Sequence, residues 1–484
     1  MDISFVSKQR FCQYIGGQLI EGEGRTDEIV CPGNGEPVAS VRLATPEQAE
    51  QALEAAQKAF PVWSGMSLEQ RGAWILRLRD AIAAERETLH TLLQLESGKL
   101  KGHNAFEIDS LINYLTFFLE QAKCEHETIL RDTSGGKGFY AVVRQPVGVV
   151  VACLAWNFPL HNIATKLGPI LASGCTAVIK PATKTPLSTL YLGSIFEKIG
   201  FPAGVINFVA GDAGQISKTL CASKIPAMLT MIGSTHGGLQ MLKDSATSVK
   251  RFSMELGGNA PVIVTPTADL RAAAEHTVGN KMRCAGQTCV APQRVYVHDS
   301  IFADFTELCR ELGSRAVCGW GGEDANTGAL IDEAAVTRME QLVADAVEKG
   351  AKVLCGGRRP EDKQGCYFLP TILTNVDRRM RVISEEIFGP VMSLIPYSDL
   401  NEALAMANDT QYGLASYVWA NDYNEIQQLT RGLNFGVVNV NGPGTGPSYP
   451  HGGWKDSGIG ADGSCFSLDE YCCKKGIRVA LKQQ

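Results

Sequence analysis

The stretch that decides the fold is AMLTMIGSTHGGLQMLKDSA, residues 227–246. Its apolar first part, its glycine-containing turn and its amphipathic second part predict a strand, a turn and a helix in that order. The backbone N–H groups at the start of such a helix are suited to holding a pyrophosphate. The glycine spacing is not GxGxxG, so this turn alone is a weak signal.

The alternation of strands and helices continues on both sides of this unit. Before it, VGVVVACLAW (147–156), GCTAVIKPA (174–182) and GVINFVAGD (204–212) predict buried strands, and STLYLGSIFEKIG (188–200) predicts a helix. This is a βαβ succession of the nucleotide-binding kind. A second such block extends from about residue 254 to residue 442. The predicted fold class is α/β, with two domains and largely parallel sheets.

The N-terminal part adds helices and a hairpin. Residues 45–60 predict a helix capped by Thr45, and residues 68–98 predict one long amphipathic helix that ends at Gly98. In ETILRDTSGGKGFYAVVRQPVG (127–148), two β-like runs flank a Gly-Gly pair at 135–136. This pattern predicts a β-hairpin arm.

Composition excludes several classes of function. The chain has 484 residues, a net charge of −6 and no basic cluster, so we expect neither nucleic-acid nor membrane-surface binding. Its most apolar early run, 147–156, is about half of the roughly 20 residues needed to span a bilayer. The first residues lack the apolar core of a secretory signal, and the fifteen cysteines form no repeating framework. We therefore predict a cytoplasmic protein with reduced thiols. Because CxxC and HxxxH spacings are missing, we predict no bound metal.

Five stretches carry chemistry by their order and spacing. They are AWNFP (155–159), GSTHGG (233–238), MELGGNAPVIV (254–264), GQTC (286–289) and EEIFGPV (385–391). Together they resemble the NAD(P)-dependent aldehyde dehydrogenase superfamily, most closely its succinate-semialdehyde and lactaldehyde branch. The resemblance extends from YIGGQL near the start to GGWKDSG near the end.

The resemblance implies a fold and a set of partners. It implies two Rossmann-like α/β domains plus a β-hairpin oligomerisation arm. The cofactor-binding domain would comprise residues 1–125 and 146–256, the catalytic domain 257–442, and the arm with the C-terminal tail 126–145 and 443–484. It further implies NAD or NADP as cofactor, a small-molecule aldehyde as substrate, and a homodimer or homotetramer.

Two cysteines in KMRCAGQTCVAPQRV (281–295) compete as nucleophile. A helix predicted from an Asp269 cap to about Ala285 places Cys284 in its last turn, where a small buried filler is the ordinary role. Cys289 follows in a loop, and the resemblance assigns the nucleophile to this cysteine of the GQxC motif. The negative end of the helix dipole opposes thiolate formation. Activation therefore requires a neighbouring base or the positive nicotinamide ring of the cofactor.

Glu255 and Asn157 complete the chemistry that the resemblance implies. Glu255 would activate the thiol, the hydrolytic water or both, although a turn-forming Glu at a strand end is the plain alternative. Asn157 and the backbone amide of Cys289 would stabilise the oxyanion. An Asn before Phe-Pro is also simply a good turn former. Lys166 would relay protons with Asp462, for which a surface loop is the alternative.

The cofactor residues also follow from the resemblance. The implied set comprises Trp156, Lys180, Thr183, Gly233, Ser234, Glu386 and Phe388. Ser234 would lie near the diphosphate, Glu386 on the nicotinamide ribose and Lys180 near the adenosine ribose. NAD-preferring members often have a glutamate where this chain has Thr183, and Lys180 and Lys184 flank that position. Because no carboxylate would repel a 2′-phosphate, NADP is predicted to be accepted.

Arg283 and His161 are the candidate substrate-binding residues. Arg283 matches an arginine that clamps the substrate carboxylate in succinate-semialdehyde-type members, and complementing the helix dipole is its alternative role. A second arginine of such members is replaced by Thr165, and His161 would help instead. Two other functions stay open at this point. One is a CoA-acylating member, which Glu255 argues against, and the other is a non-catalytic protein on the same fold.

Overall fold

The computed structural model describes residues 6, 9–124, 127–131, 138–442 and 446–480. Within them the chain builds two large mixed sheets, each covered by helices on both faces. Strand residues alternate between the two faces of a sheet, and both sets are buried. Val150 and Val151, for example, enter different apolar clusters on opposite sides of the first sheet.

The first sheet has eight strands, and its five central strands are parallel. In spatial order its strands are Gln18–Ile20, Gln13–Ile15, Ile206–Phe208, Thr176–Lys180, Val149–Cys153, Met228–Ile232, Arg251–Glu255 and Gly458–Ile459. Its helices, with those of the N-terminal part, are Pro46–Gly65, Leu68–Ala84, Arg86–Ser97, Lys101–Cys124, Pro159–Ser173, Leu187–Lys198, Ala213–Ala222 and Thr235–Asp244. The strand, turn and helix predicted for residues 227–246 are confirmed.

The second sheet has seven strands, of which only the first in spatial order is antiparallel to its neighbour. They are Lys352–Cys355, Thr371–Thr374, Val391–Tyr397, Pro292–His298, Ala260–Val264, Ala415–Trp419 and Val437–Val440. The α-helices of this part are Leu270–Met282, Phe302–Ser314, Glu333–Glu348, Arg381–Ser384, Leu400–Asn408 and Tyr423–Gly432. Two 3-10 turns, Arg283–Gly286 and Asp299–Ile301, precede and follow strand Pro292–His298.

The arm and the tail form small antiparallel sheets of two or three strands. Strands Thr128–Arg131, Phe139–Pro146 and Cys472–Val479 form an antiparallel sheet, and the Gly-Gly pair at 135–136 lies outside the described residues. Two-stranded pairings join Thr26–Val30 to Pro37–Arg42 and Tyr412–Gly413 to Trp454–Lys455, and a last helix is Ser464–Glu470. None of the described helices has both the length and the apolarity needed to cross a membrane.

Two predicted helices differ in the structure. The helix expected over 68–98 breaks at Glu85, which ends Leu68–Ala84 and begins Arg86–Ser97. The helix that begins after Asp269 ends at Met282 rather than near Ala285, because Cys284 and Ala285 have φ of 52° and 51°. Left-handed residues end a helix, so Cys284 lies in a sharp turn beyond it.

The C-terminal tail, predicted to belong with the arm, also contributes strands beside both large sheets. Gly458–Ile459 adds an edge strand to the first sheet beside Met254 and Glu255, while Trp454–Lys455 pairs with Tyr412–Gly413 next to the second. The segment between residues 446 and 463 therefore bridges the two large sheets.

Candidate active site

A cavity of about 490 Å³ lies where the carboxyl ends of the first sheet's central strands face the segments that connect to the second sheet. Ten of the residues singled out in the sequence line it: Asn157, Trp156, Lys180, Thr183, Gly233, Ser234, Glu255, Cys289, Glu386 and Phe388. Lys166, Arg283 and His161 do not line it. Ligand sites of open α/β sheets form at such strand ends.

Cys289 lies in the loop between the turn Arg283–Gly286 and strand Pro292–His298, with its side chain half-buried. Burial and then the negative charge of neighbouring Glu255 raise the pKa of the Cys289 thiol well above its usual value. The thiol is therefore protonated at neutral pH. Cys284, in contrast, is buried, and its thiol donates to the carbonyl oxygen of Asn157.

Two glycines of MELGG allow the close approach of the cysteine loop. A Cβ on Gly258 would lie 2.1 Å from the carbonyl oxygen of Cys289, and one on Gly257 would lie 2.6 Å from a carboxylate oxygen of Glu386. The backbone N–H of Gly258 donates to Glu386 at 2.9 Å. Because Gly257 and Gly258 have no side chains, Glu386 and the cysteine loop can approach the carboxyl end of strand Arg251–Glu255.

Glu255 is a buried carboxylate with a histidine partner. His451 Nε2 lies 3.2 Å from Glu255 Oε1. Burial raises the pKa of Glu255, but the hydrogen bond and charge of His451 outweigh it, so the pKa lies below its usual value. Burial lowers the pKa of His451, and Glu255 in turn outweighs that effect, so the pKa is raised. Each group therefore favours the charged form of the other.

Asn157 is held against the cysteine loop. Its Nδ2 donates to the carbonyl oxygen of Gln287 at 3.1 Å, and its Oδ1 accepts from Asn162 at 3.3 Å. Gln287 itself donates to the carbonyl oxygens of Cys284 and Ala329 and accepts from the N–H of Ile331. An amide has two N–H donors, so Asn157 keeps one for a ligand.

Lys166 and Asp462 form a buried ion pair behind Glu255. Their Nζ and Oδ1 atoms lie 2.5 Å apart, and Asp462 is only 3% exposed. The surface-loop alternative for Asp462 is therefore wrong. Asp462 also exchanges two backbone hydrogen bonds of 2.7 Å with His451. The pair thus anchors the segment that brings His451 to Glu255.

The other end of the cavity offers donors for phosphate and ribose groups. Ser234 caps helix Thr235–Asp244 by accepting from the N–H of Gly237 at 3.1 Å, and the free N–H groups of that first turn are near Gly233. Lys180 is buried at the end of its strand, and burial lowers its pKa. Burial raises the pKa of Glu386 to about 7. Helix N–H groups, an amine and a carboxylate fit a dinucleotide.

Trp156 and Thr183 also line this cavity. The ring of Trp156 meets that of Phe388 edge-on, at 5.4 Å between centroids. Thr183 lines the cavity without a charge, and neighbouring Lys184 forms an ion pair with Asp332. One of the two lysines that flank Thr183 is therefore already paired.

Arg283 and His161 meet in an aromatic cluster beside the cavity. The guanidinium carbon of Arg283 lies 4.4 Å from the ring centre of Phe106 and 5.8 Å from that of Phe158. Among the described residues no carboxylate pairs with Arg283. His161 Nδ1 lies 2.6 Å from Ser110 Oγ. Burial, followed by the charges of His451 and Arg283, lowers the pKa of His161 to about 4, so its ring is neutral.

Sequence reasoning missed His451 and Gln287. Gln287 lies within the GQTC stretch, and its contacts with Ala329 and Ile331 were hidden because these partners are distant in sequence. His451 directly precedes the GGWKDSG segment, which marks the end of the family resemblance. A single histidine without a local partner gave no signal of its contact with Glu255.

These features have counterparts in known proteins. The chain belongs to the aldehyde dehydrogenase family, whose model matches residues 19–477. The predicted resemblance and fold class are confirmed, and the chain is an enzyme of this class. It is 36% identical to the succinate-semialdehyde dehydrogenase [NADP(+)] GabD of Escherichia coli, over 96% of this chain and 97% of the relative. It is 37% identical to the glutarate-semialdehyde dehydrogenase of Pseudomonas putida, over 95% of both chains.

Solved structures agree with this assignment. A crystal structure of an NADP-dependent enzyme from Escherichia coli superposes with a TM-score of 0.95, at 36% identity over 98% of both chains. The lactaldehyde dehydrogenase of Escherichia coli gives a TM-score of 0.93, at 32% identity over 97% of this chain and 98% of that one.

Proposed function

We propose that this enzyme oxidises a small acid semialdehyde or hydroxyaldehyde to the carboxylic acid, with NAD or NADP as hydride acceptor, through a thiohemiacetal and a thioester on Cys289. The observation that carries the proposal is the convergence of Cys289, Glu255 and Asn157 on one cavity, whose far end offers donors for a dinucleotide. The relatives whose names specify semialdehydes and NADP support the substrate class and the cofactor.

The first half of the reaction needs a thiolate and an oxyanion site. A carboxylate oxygen of ionised Glu255 lies within 4.8 Å of the Cys289 sulfur and accepts the proton of the thiol. The thiolate sulfur then attacks the aldehyde carbon. The remaining N–H of Asn157 and the backbone N–H of Cys289 stabilise the negative oxygen. A dinucleotide held by Ser234, Lys180 and Glu386 would supply the hydride acceptor that converts the thiohemiacetal on Cys289 to a thioester.

The second half is hydrolysis of that thioester. Glu255 removes a proton from the attacking water, and the thiolate of Cys289 leaves. His451 donates a hydrogen bond to Glu255 and holds the carboxylate in place. Asp462 holds His451 in place through two backbone hydrogen bonds and forms a buried ion pair with Lys166. Negative and positive groups therefore alternate from Glu255 through His451 and Asp462 to Lys166.

Arg283 gives the site its preference for an anionic substrate. Its guanidinium is half-buried against Phe106 without a carboxylate partner. Such a group binds a carboxylate in a bidentate manner. The neutral ring of His161 adds no competing charge. The semialdehyde carboxylate therefore binds at Arg283 while the aldehyde carbon faces Cys289.

The cofactor site accepts a 2′-phosphate. Thr183 adds no carboxylate there, and Lys180 supplies an amine that is not engaged in an ion pair among the described residues. We therefore propose that NADP is accepted as well as NAD. The residues of the two sheets would form the cofactor-binding and catalytic domains, with boundaries near 125, 146, 256 and 442.

The arm supports assembly into a homodimer or homotetramer. Ile129 is 72% exposed and Leu130 is 50% exposed on its strand, and Phe139 and Ile477 add further apolar surface. Exposed apolar surface of this kind is typical of subunit interfaces. The fifteen cysteines are free thiols, which fits a reducing, cytoplasmic environment.

The deciding experiment measures NAD(P)H absorbance with succinate semialdehyde, glutarate semialdehyde, lactaldehyde and butanal, each with both cofactors. We expect acid formation without CoA, loss of turnover in Cys289→Ser, and retention of most activity in Cys284→Ser. A hydroxyl is a far poorer nucleophile than a thiolate at neutral pH. The proposal fails if no aldehyde reduces either cofactor, or if Cys284→Ser rather than Cys289→Ser loses turnover.

A further inference from the structure

We propose that Cys289, Glu255 and His451 together bind a zinc ion, which reversibly blocks the nucleophile. The sulfur, a carboxylate oxygen and an imidazole nitrogen of these residues all lie within 4.8 Å of one another. Within the described part of the chain they are the one cluster of three such side chains. A thiolate, an imidazole and a carboxylate are the ligands that Zn²⁺ takes in proteins.

The three ligands come from segments that are fixed independently. Glu255 ends a strand of the first sheet, and Cys289 lies in the loop held by Gln287. His451 is held by its two backbone hydrogen bonds to Asp462. Zinc bonds of about 2.0–2.3 Å place tetrahedral ligands about 3.5 Å apart. The half-buried side chains of Cys289 and His451 need only small rotations to close that distance.

The charges of the site favour a divalent cation. On binding, the S–H bond of Cys289 and the N–H bond that protonated His451 directs at Glu255 break, bonds from zinc to the sulfur and to the imidazole nitrogen form, and both protons pass to solvent. The thiolate and the carboxylate of Glu255 then neutralise the ion. Lys166 faces the same region but is paired with Asp462, and Glu386 adds a further acidic group near Cys289. The ion thus offsets the repulsion that a Cys289 thiolate next to Glu255 would otherwise experience.

The cavity supplies an entry path and a free coordination position. Cys289 and Glu255 both line it, so the ion arrives from solvent and keeps water as its fourth ligand. A bound ion occupies the sulfur and the base at once. Zinc therefore stops aldehyde oxidation, and a chelator restores it. The earlier expectation of no metal rested on local Cys and His spacing, which contains no information about ligands brought together by folding.

Cobalt(II) is the probe, because a thiolate bound to it gives a charge-transfer absorption in the near ultraviolet. The full-length protein is treated with a chelator, desalted and titrated with Co²⁺, and Zn²⁺ is then added in competition. We expect the band in the wild type and in Cys284→Ser and His298→Gln, the matched thiol and histidine controls. Cys289→Ala should abolish it, and His451→Phe and His451→Asn should weaken cobalt affinity about tenfold or more.

Two results would overturn the proposal. One is a titration of wild-type protein without the band, and the other is unchanged affinity in both folded His451 variants, which would show that Cys289 binds the ion alone. Circular dichroism confirms that the variants fold. The titration needs no aldehyde, so its outcome is separate from that of the proposed oxidation. Inhibition by Zn²⁺ and its reversal by chelator provide the functional counterpart.

Discussion

At the scale of single residues, the contact between Glu255 and His451 decides how the site is charged. Burial alone would raise the pKa of the carboxyl group. His451 reverses this effect at a distance of 3.2 Å, so that Glu255 is ionised next to a thiol that is not. The separated pKa values assign the two roles, with Glu255 as the base and Cys289 as the group that gives up its proton.

We expect His451→Phe to shift the acidic limb of the kcat/KM profile to higher pH. Without its partner, Glu255 loses the largest influence that offsets its burial, so its pKa rises and it is protonated at pH values where the wild type is still ionised. Initial rates after a pH jump, with chelator present, measure the shift. His298→Gln, at a partly exposed position that does not line the cavity, serves as control. A profile that coincides with the wild type would show that His451 does not set the state of Glu255.

Arg283→Leu should lower kcat/KM for glutarate semialdehyde by well over tenfold and spare pentanal, which has the same number of carbons. Removing one partner of a buried charge pair costs roughly 2–5 kcal/mol. The neutral aldehyde has no carboxylate and provides the matched comparison within one variant. Equal losses on both substrates would make Arg283 a structural residue that packs on Phe106.

At the scale of elements, the sequence predicted what is local and missed what depends on distant partners. The strand and helix of residues 227–246 follow from periodicity and a turn. The early end of helix Leu270–Met282 does not, because Cys284 and Ala285 turn left-handed and the chain then passes close to the distant EEIFGPV stretch: a Cβ on Gly286 would lie 2.2 Å from the oxygen of Gly389. Asp462 appeared to be a surface residue for the same reason, since Lys166 is 296 positions away.

Gly258→Ala tests the close approach of two elements. The new methyl group would lie 2.1 Å from the carbonyl oxygen of Cys289 and would push the loop away from Glu255. We expect turnover to fall at least tenfold and Tm to decrease. Gly279→Ala is the control, because its Cβ meets no heavy atom within 4 Å in an exposed helix position. That change should stabilise by about 0.5–1 kcal/mol and keep activity. Equal behaviour of the two variants contradicts the steric argument.

At the scale of the whole molecule, the two large sheets and the three-stranded arm have different tasks. The sheets enclose the cavity, while the arm exposes apolar side chains to solvent in a single chain. Their alternating patterns were predictable from the sequence. The bridge that the tail forms between the sheets was not, because its strands have only two residues each.

Ile129→Lys should reduce the assembly to a smaller species. A charged side chain on the exposed strand of the arm disfavours burial against another subunit. Light scattering after gel filtration gives the mass of each species. Val249→Lys, at a fully exposed position of a loop, should leave the mass of the assembly unchanged. If the wild type is a monomer, or if Ile129→Lys keeps its mass, the arm is not the interface.

Because the bridging tail is synthesised after the other parts of the site, the active site is completed only late in translation. A ribosome delivers Cys289 and Glu255 long before it delivers residues 451–462, so a nascent chain has the nucleophile without the histidine that ionises its base. Until Asp462 emerges, Lys166 has no counterion for its buried position. An interrupted chain would thus be catalytically silent and would carry an uncompensated interior charge, which gives cellular quality control a reason to remove it.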